Sequence, residues 1–312
     1  MAEEKKQGIR NKKKEKIKPR KIKKSTADKV ADVIIYAVIA ILALLCIIPF
    51  LHVAAVSISS DADVYANNVF LIPKHPTLEA YRVVLGDKSM MQSLGFTVLL
   101  TLAFTVLGML VTICAAYALS KKYLKGRYVI STMFLITMYF TAGTIPDYLL
   151  IDSLNLLDTP AALILPLAFS AYNMIILRTF MENSIPDSLL EAAKLDGCDD
   201  FRILWQIVLP LSKPVLATLA LFYAVGRWNS FQDALYYIQS DALKPLQLKL
   251  YNLVNASGST GALAQEAGGG QQQAAEVVKS ATIMFATLPI VIVYPFVQKY
   301  FVSGVMIGAV KG

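Results

Sequence analysis

The chain has 312 residues, 56% of them hydrophobic, and a mean hydropathy of +0.54, which excludes an ordinary soluble domain of this length and fits a polytopic membrane protein. Its net charge of +8 is concentrated at one end: before residue 30 there are 13 Lys or Arg against 4 Asp or Glu, so the basic balance does not describe a nucleic-acid-binding surface. Three isolated cysteines without a CxxC pair, and only two histidines, argue against a disulfide framework or a His-rich metal site.

Residues 1–29 read as a basic cytoplasmic tail. It is also suited to attract anionic lipid at roughly 1 kcal/mol per basic residue near the surface. Residues 30–60 hold the first transmembrane helix, with no Asp, Glu, Lys or Arg from Val33 to Ser60. That run exceeds the usual signal-peptide core of about 7–15 residues. Residues 61–88 are a mixed external loop, with a short helix expected behind a Thr77 cap. Ser89 to Ser120 is a second charge-free span, closed by the four basic residues within Lys121–Arg127. Tyr128 to Pro146 and Thr159 to Leu177 are expected as the third and fourth spans. Val215 to Gly226 is short for a fifth, unless it continues through Trp228, Phe231 and Tyr236 with Arg227 facing protein or water. Residues 256–275 read as a flexible Gly-, Ala- and Gln-rich loop. Ser280 to Val297 is the last span, with kinks expected at Pro289 and Pro295.

Six spans put both termini on one side. The tail, the Lys121–Arg127 turn, the Arg178–Lys213 loop and the C-terminus hold 23 Lys or Arg against 7 in the opposite loops, so the tail side is cytoplasmic.

The longest amphiphilic stretch, Glu191 to Pro214, therefore faces the cytoplasm. Pro186 and Asp187 suit the first turn of a helix. Leu189, Ala192, Ala193 and Asp196 follow at i, i+3, i+4 and i+7, and the two alanines leave a face that another backbone can approach. Gly197 stands where a positive φ ends a helix, and Asp199 or Asp200 can cap the next. Phe201, Leu204, Trp205 and Val208 are expected to form one apolar stripe. Pro210 ends that helix and Pro214 opens the next span. From these features alone the segment is a rigid helix–turn–helix. It serves equally well as a plain connector on the bilayer surface or as a docking handle.

Glu191-Ala192-Ala193, Gly197 and Ile207-x-Leu209-Pro210 resemble, with every spacing kept, the EAA signature of ABC-importer permeases. Asp196 and Pro214 also fit the sugar-type pattern, while Cys198 replaces a residue that is usually smaller. Trp228-Asn229-x-Phe231 is similar to a carbohydrate-permease element, and the segments from Gln298 and from Gly308 resemble the C-terminus of the maltose-type second permease. Within the family the likeness is to the LplC/YtcP-like branch. It covers roughly residues 89–312, the ABC-importer transmembrane domain. The resemblance implies an all-α, six-helix, type I (MetI-like) permease with a coupling loop at 184–214. It implies that Glu191, Ala192, Ala193, Asp196, Gly197, Ile207, Leu209 and Pro210 couple to an ATPase. The implied partners are a homologous second permease, two ABC ATPase subunits and an extracytoplasmic solute-binding protein, in a bacterial-type plasma membrane. ATP and Mg would be bound by the ATPase and no cofactor by this chain. The cargo would be a carbohydrate, and an oligosaccharide by the branch.

The chain contains no GxxxxGK[ST], HExxH or GxSxG, so no catalytic residue is assigned. Tyr139, Phe140, Tyr172 and Asn173, with Arg227, Trp228 and Asn229, are candidates to line the substrate pathway, because aromatic faces and hydrogen-bonding side chains suit sugars. An ion-coupled carrier and a non-transporting membrane scaffold are the alternative functions. The scarcity of acidic or histidine residues at mid-membrane weighs against the first.

Overall fold

The computed structural model describes residues 25–264 and 271–309, with side chains over 25–255 and 276–295. Residues 1–24, most of the basic tail, lie outside the described set. The chain divides into two compact units, one ending at Leu51 and the other beginning at His52. Most of helix α1 (Thr26–Ser57) makes up the first unit. At its start the Asp28 carboxylate accepts the Ser25 N–H at 2.9 Å.

In the second unit, α2 (Asp61–Tyr65) and α3 (Glu79–Gly86) are short helices. Leu78 occupies the N-cap position of α3, one residue after the expected Thr77, whose Oγ1 still accepts the Glu79 N–H at 3.2 Å. Helix α4 (Lys88–Ser120) begins at Asp87, whose side chain accepts the Ser89 N–H at 2.8 Å. At 33 residues it is about 50 Å long, more than a bilayer core needs. Its buried side chains include Ser93, Thr97, Leu100, Phe104, Gly108, Thr112 and Ala116, one stripe at three- and four-residue steps. Small and hydroxylated residues on such a stripe let neighbouring helices approach closely. Hydropathy does not reveal this face, because the opposite side of the helix is equally apolar.

The next segments depart from unbroken spans. Helix α5 (Arg127–Tyr139) stops well before Pro146, and α6 (Thr144–Ser153) leaves it at 115°. Gly143, at φ 94°, makes the corner. Pro146 then falls in the first turn of α6, where no amide partner is required. The stretch 159–177 is likewise two helices, α7 (Pro160–Ile164) and α8 (Ala171–Ser184). Pro166 has no N–H to offer Ala162, so the ladder fails there, and Ser170 caps a fresh helix by accepting the Asn173 N–H at 3.3 Å.

Helices α9 (Asp187–Leu195) and α10 (Asp200–Leu211) precede α11 (Lys213–Asn229), which meets α10 at 84°. After α11 come α12 (Gln232–Tyr237), α13 (Leu246–Ala264) and α14 (Gln271–Ala309). The segment read as a loop from residue 256 is therefore helical at both ends. The described ends carry good helix formers, Ala262–Leu263–Ala264 closing α13 and Gln271–Gln273 with Ala274 and Ala275 opening α14. Residues 265–270, and with them part of the expected loop, lie outside the described set. So do 310–312, the end of the C-terminal motif.

The described residues form no strand; a single bridge joins Ser59 and Pro76. Helix α4 is the hub, packed along α11 and α8, while α14 packs on α11, α13 and α3. Three described helices are long and apolar enough to cross a membrane, or five if each of the bent pairs α5–α6 and α10–α11 is one span. The fourth expected span is the broken α7–α8 segment, which is not among these.

Where α4, α8 and α11 meet, the Tyr223 hydroxyl lies 2.7 Å from Thr112 Oγ1 and accepts the Ser170 N–H at 3.1 Å. Gly108 makes room: a Cβ there would sit 2.9 Å from the Tyr223 ring and 3.1 Å from the Ala168 carbonyl oxygen.

Candidate functional site

The loop joining α8 to α11 is built from its corner outward. Helix α9 ends in a Schellman turn: Cys198 N–H donates to Ala193 O and Gly197 N–H to Lys194 O, both at 3.0 Å, with Gly197 at φ 81°. Cys198 and Ala193 supply the apolar contact that accompanies such a turn, both packed into the core beneath the loop. Cys198 therefore works as a small hydrophobe. Asp199 caps α10, its Oδ1 accepting the Arg202 N–H at 2.8 Å.

Asp200 has a separate task that the residue pattern did not disclose. Its carboxylate accepts from the Tyr123 hydroxyl at 2.7 Å and lies 3.7 Å from Lys121 and 3.5 Å from Lys194. Its carbonyl accepts from the Tyr117 hydroxyl at 2.8 Å. The Tyr123 hydrogen bond, with help from the two lysines, holds the Asp200 carboxyl below the usual carboxylate range. Lys121 is nearly buried, and that burial lowers its own pKa. Lys122 pairs with Asp187 in the first turn of α9. The basic turn after α4 thus fastens both helices of the loop from behind.

The loop's two faces differ from the expected stripes. Ile203, Leu204 and Val208 are buried, with Leu190, Ile207 and Leu209 packed beside them. Phe201 and Trp205 are instead 72% and 65% exposed. The two alanines also separate: Ala193 is buried and Ala192 exposed. In α10 the covered residues Ile203, Leu204, Ile207 and Val208 fall at i, i+1, i+4 and i+5, a regular helical stripe whose face is offset by about 100° or less from the expected one; a π turn also spans Leu204–Val208, in which Leu209 N–H reaches back five residues to Leu204 O. It lies just ahead of Pro210, which has no N–H for a normal turn. The outward surface therefore carries Glu191, Ala192, Asp196 and three apolar side chains, Leu195 (90% exposed), Phe201 and Trp205. Leu195 escaped the sequence reading because it falls outside the i, i+3, i+4 set counted from Leu189. The Glu191 carboxylate makes no hydrogen bond or ion pair among the described residues. It edges a groove of about 340 Å³ with Lys121, Lys122, Glu182, Asp187 and Lys194.

The pathway candidates do not share one surface. Tyr139, Phe140, Tyr172 and Asn229 are exposed, whereas Asn173, Arg227 and Trp228 are buried. Trp228 Nε1–H donates to the Ala286 carbonyl at 3.3 Å, and Asn229 Nδ2 to its own helix at Val225 O. Arg227, only 3% exposed, donates from Nη2 to Asp233 Oδ1 at 2.9 Å and from Nη1 to the Leu163 carbonyl at 3.0 Å. It joins the end of α11 to α12 and α7. A second exposed cluster lies near the start of α4, where Lys249, aided by Ser89, pulls the Asp241 carboxyl down to about 2. Among the described residues, no group of three or more His, Cys, Asp or Glu is placed to hold a metal ion.

Comparison with known proteins gives this geometry a context. The family model described as binding-protein-dependent transport system inner membrane component matches residues 128–307. The polygalacturonan/rhamnogalacturonan transport system permease protein YtcP of Bacillus subtilis (strain 168) is 41% identical over 281 residues, 90% of this chain and 98% of that one. Protein LplC of the same organism is 42% identical over 269 residues, 85% and 90% of the two chains. A chain in the crystal structure of a bacterial ABC transporter involved in the import of the acidic polysaccharide alginate superposes with a TM-score of 0.80. It is 35% identical, covering 89% of this chain and 99% of that one.

Proposed function

This chain belongs to the family of binding-protein-dependent transport system inner membrane components, and on that premise we propose how it couples ATP hydrolysis elsewhere to passage of an oligosaccharide. It is a non-catalytic permease subunit of an ABC importer with the MetI-like helical fold. The cargo is a carbohydrate, as the names of its relatives favour. The partners are a second, homologous permease, two ATPase subunits that hold the ATP and Mg, and an external solute-binding protein. The chain crosses a bacterial plasma membrane six times, with α7 and α8 together forming one crossing and both termini in the cytoplasm.

In this reading α9 is the coupling helix. Glu191, Ala192, Leu195 and Asp196, with Phe201 and Trp205, meet the ATPase, an apolar surface framed by charge. Ala193 and Gly197 act from behind by setting the shape of the turn. Ile207, Leu209 and Pro210 carry displacement of the loop into α11, which packs on the hub helix α4. The coupling is productive only if the ATPases contact this surface differently in their open and closed states. The single observation that carries the proposal is the pairing of an outward apolar row with a stiff inner attachment. Three large side chains lie exposed on a loop whose other face is buried and fastened through Asp200.

The complex is tested by co-purifying the ATPase with Glu191→Lys and Trp205→Ser variants and measuring ATP-dependent oligosaccharide uptake in proteoliposomes. Both variants should retain the second permease, lose ATPase and lose uptake. Full ATPase retention and uptake in both would remove α9 and α10 from the coupling path. Uptake driven by an ion gradient without ATP would instead establish the secondary-carrier alternative.

A further inference from the structure

The two broken spans of the α5–α8 region are broken differently. Between α7 and α8 the chain stays packed: Ala168 is buried, its N–H donates to Leu165 O at 3.3 Å, and the Ser170 N–H donates to the Tyr223 hydroxyl at 3.1 Å. Between α5 and α6 every residue from Leu135 to Asp147 is exposed. The N–H groups of Thr141 to Ile145 and the carbonyls of Thr137 to Ala142 have no hydrogen-bond partner among the described residues. We propose that this corner is a water-lined wall of the sugar's passage through the membrane, offering its free backbone groups to the cargo. The proposal deepens the permease reading above and rests on it.

Helix length fixes the depth of the corner. Helix α5 starts at Arg127, at the end of the basic turn that the proposed topology places in the cytoplasm, and its 13 residues rise about 20 Å. A hydrocarbon core is roughly 30 Å thick, so an upright α5 leaves the corner about 10 Å short of the far interface, and a tilted one leaves it further short. Backbone without hydrogen bonds is not tolerated against lipid; at such depth it occurs where protein covers it or water fills a cavity.

Two observations favour water over a covering subunit. The unmet groups form a continuous run on both sides of Gly143, whose φ of 94° sets the corner. A covering helix has its own amides and carbonyls internally paired, and could meet such a run only with side chains. The polar wall also continues: Thr144 and Asp147 open on a cavity of about 260 Å³ with Gln232, Asp233 and Tyr236 on its other side. The Asp147 carboxyl group has no hydrogen bond or ion pair among the described residues, and at membrane depth such a group needs water as the free backbone does. A hydroxyl-rich solute can replace that water. Its hydroxyls both donate and accept, so they suit N–H groups and carbonyls presented side by side, whatever charge the saccharide carries elsewhere. Tyr139 and Phe140 add two rings to the same corner, 80% and 76% exposed.

The test begins with the unaltered complex in nanodiscs, where both membrane faces meet solvent. Hydrogen exchange at residues 141–145 should run within about tenfold of the intrinsic rate in at least one of two states, nucleotide-free or held by a non-hydrolysable ATP analogue; slower exchange in both would overturn the proposal. Labelling then separates a passage from a mere crevice. In a complex stripped of native cysteines, Cys46, Cys114 and Cys198 of this chain included, Thr141→Cys and Ala142→Cys are offered a charged methanethiosulfonate reagent. At least one should react about tenfold or more faster than the buried Ala116→Cys, because reaction needs a hydrated thiolate. In proteoliposomes the same modification should stop uptake of an oligosaccharide mixture from partially hydrolysed pectin, starch and alginate. Neither position labelled in either state, or full labelling with undiminished uptake, would overturn the proposal and leave the carbohydrate reading standing. Import of no saccharide by the unaltered complex would instead sink the carbohydrate reading, and the sugar's passage with it.

Discussion

Valine at position 197 should loosen the coupling loop without disturbing anything around it. Gly197 has φ 81°, and a Cβ built there meets nothing within 4 Å. Any penalty is therefore intrinsic to the backbone. For an ordinary L-residue the left-handed region costs about 1–2 kcal/mol, with a branched Cβ at the upper end and Asn well below it. The chain can relieve that strain only by giving up the hydrogen bonds from Cys198 N–H and Gly197 N–H, and with them the angle between α9 and α10. A cost of about 1–2 kcal/mol raises the population of the opened turn roughly 5–30-fold. The affinity of the ATPase for the permease pair should fall by the same factor where the opened turn predominates, and by less where it is rare. The assay titrates ATPase against the permease pair in nanodiscs, with a melting curve of the membrane domain as control. Gly197→Val should weaken binding with little change in melting, and Gly197→Asn should stay close to the wild type. Equal behaviour of the Val and Asn variants, whether both normal or both defective, would refute the role assigned to the positive φ.

Three further outcomes follow from the packing and charges. Gly108→Ala should force Tyr223 aside, break its bonds to Thr112 and Ser170, and destabilise the membrane domain by about 1–3 kcal/mol, read as a lower unfolding midpoint. Asp200 has a native pKa below its unfolded value, so its attachment is complete above the ordinary carboxylate value of about 3.9 and is lost as pH falls through the lower native one. Hydrogen exchange over residues 196–203, corrected for intrinsic rates, should be flat from neutral pH to about 5 and rise only in strong acid. In Asp200→Asn it should already be faster at neutral pH. Removing either Arg227 or Asp233 alone strands a buried charge at a cost of about 3–5 kcal/mol. Arg227→Met combined with Asp233→Leu should unfold later than either single variant.

The parts of this molecule legible in sequence were those governed by local chemistry. Gly197 and Asp199 occupy the terminal positions implied for them, because caps depend on residues only a few places away. The hydrophobic segments were legible as apolar runs, and those of α1, α4 and α14 are continuous helices, but not all of the runs are. Gly143 and Pro166 break two of them at points where composition stays apolar, and hydropathy is blind to backbone direction. The loop's faces were misread for a related reason. A 3.6-residue period fits Ile203, Leu204, Ile207 and Val208 as well as it fits Phe201, Leu204, Trp205 and Val208, and composition does not say which of the two stripes the membrane domain covers. Asp200, Tyr123 and Lys121 were unreadable as a cluster because their proximity depends on how α4 ends against α10. The adjacent Asp199 and Asp200 were the only local hint, one more acid than a cap needs.

The wide turn at Leu204–Val208 has a consequence for how insertions and deletions would act on this loop. Each residue of an α-helix turns the chain by about 100°, so closing a turn over five residues shifts the phase of everything before it by roughly that angle. Phe201 precedes the turn, so its bearing relative to Pro210 and α11 carries this offset. A single-residue deletion within the turn would return α10 to regular phase and rotate Phe201 and Ile203 together relative to α11, leaving composition and charge nearly unchanged. What the loop offers to a partner is thus set by a count of residues as much as by their identity, and a shift in that count is a change that a substitution scan would never sample.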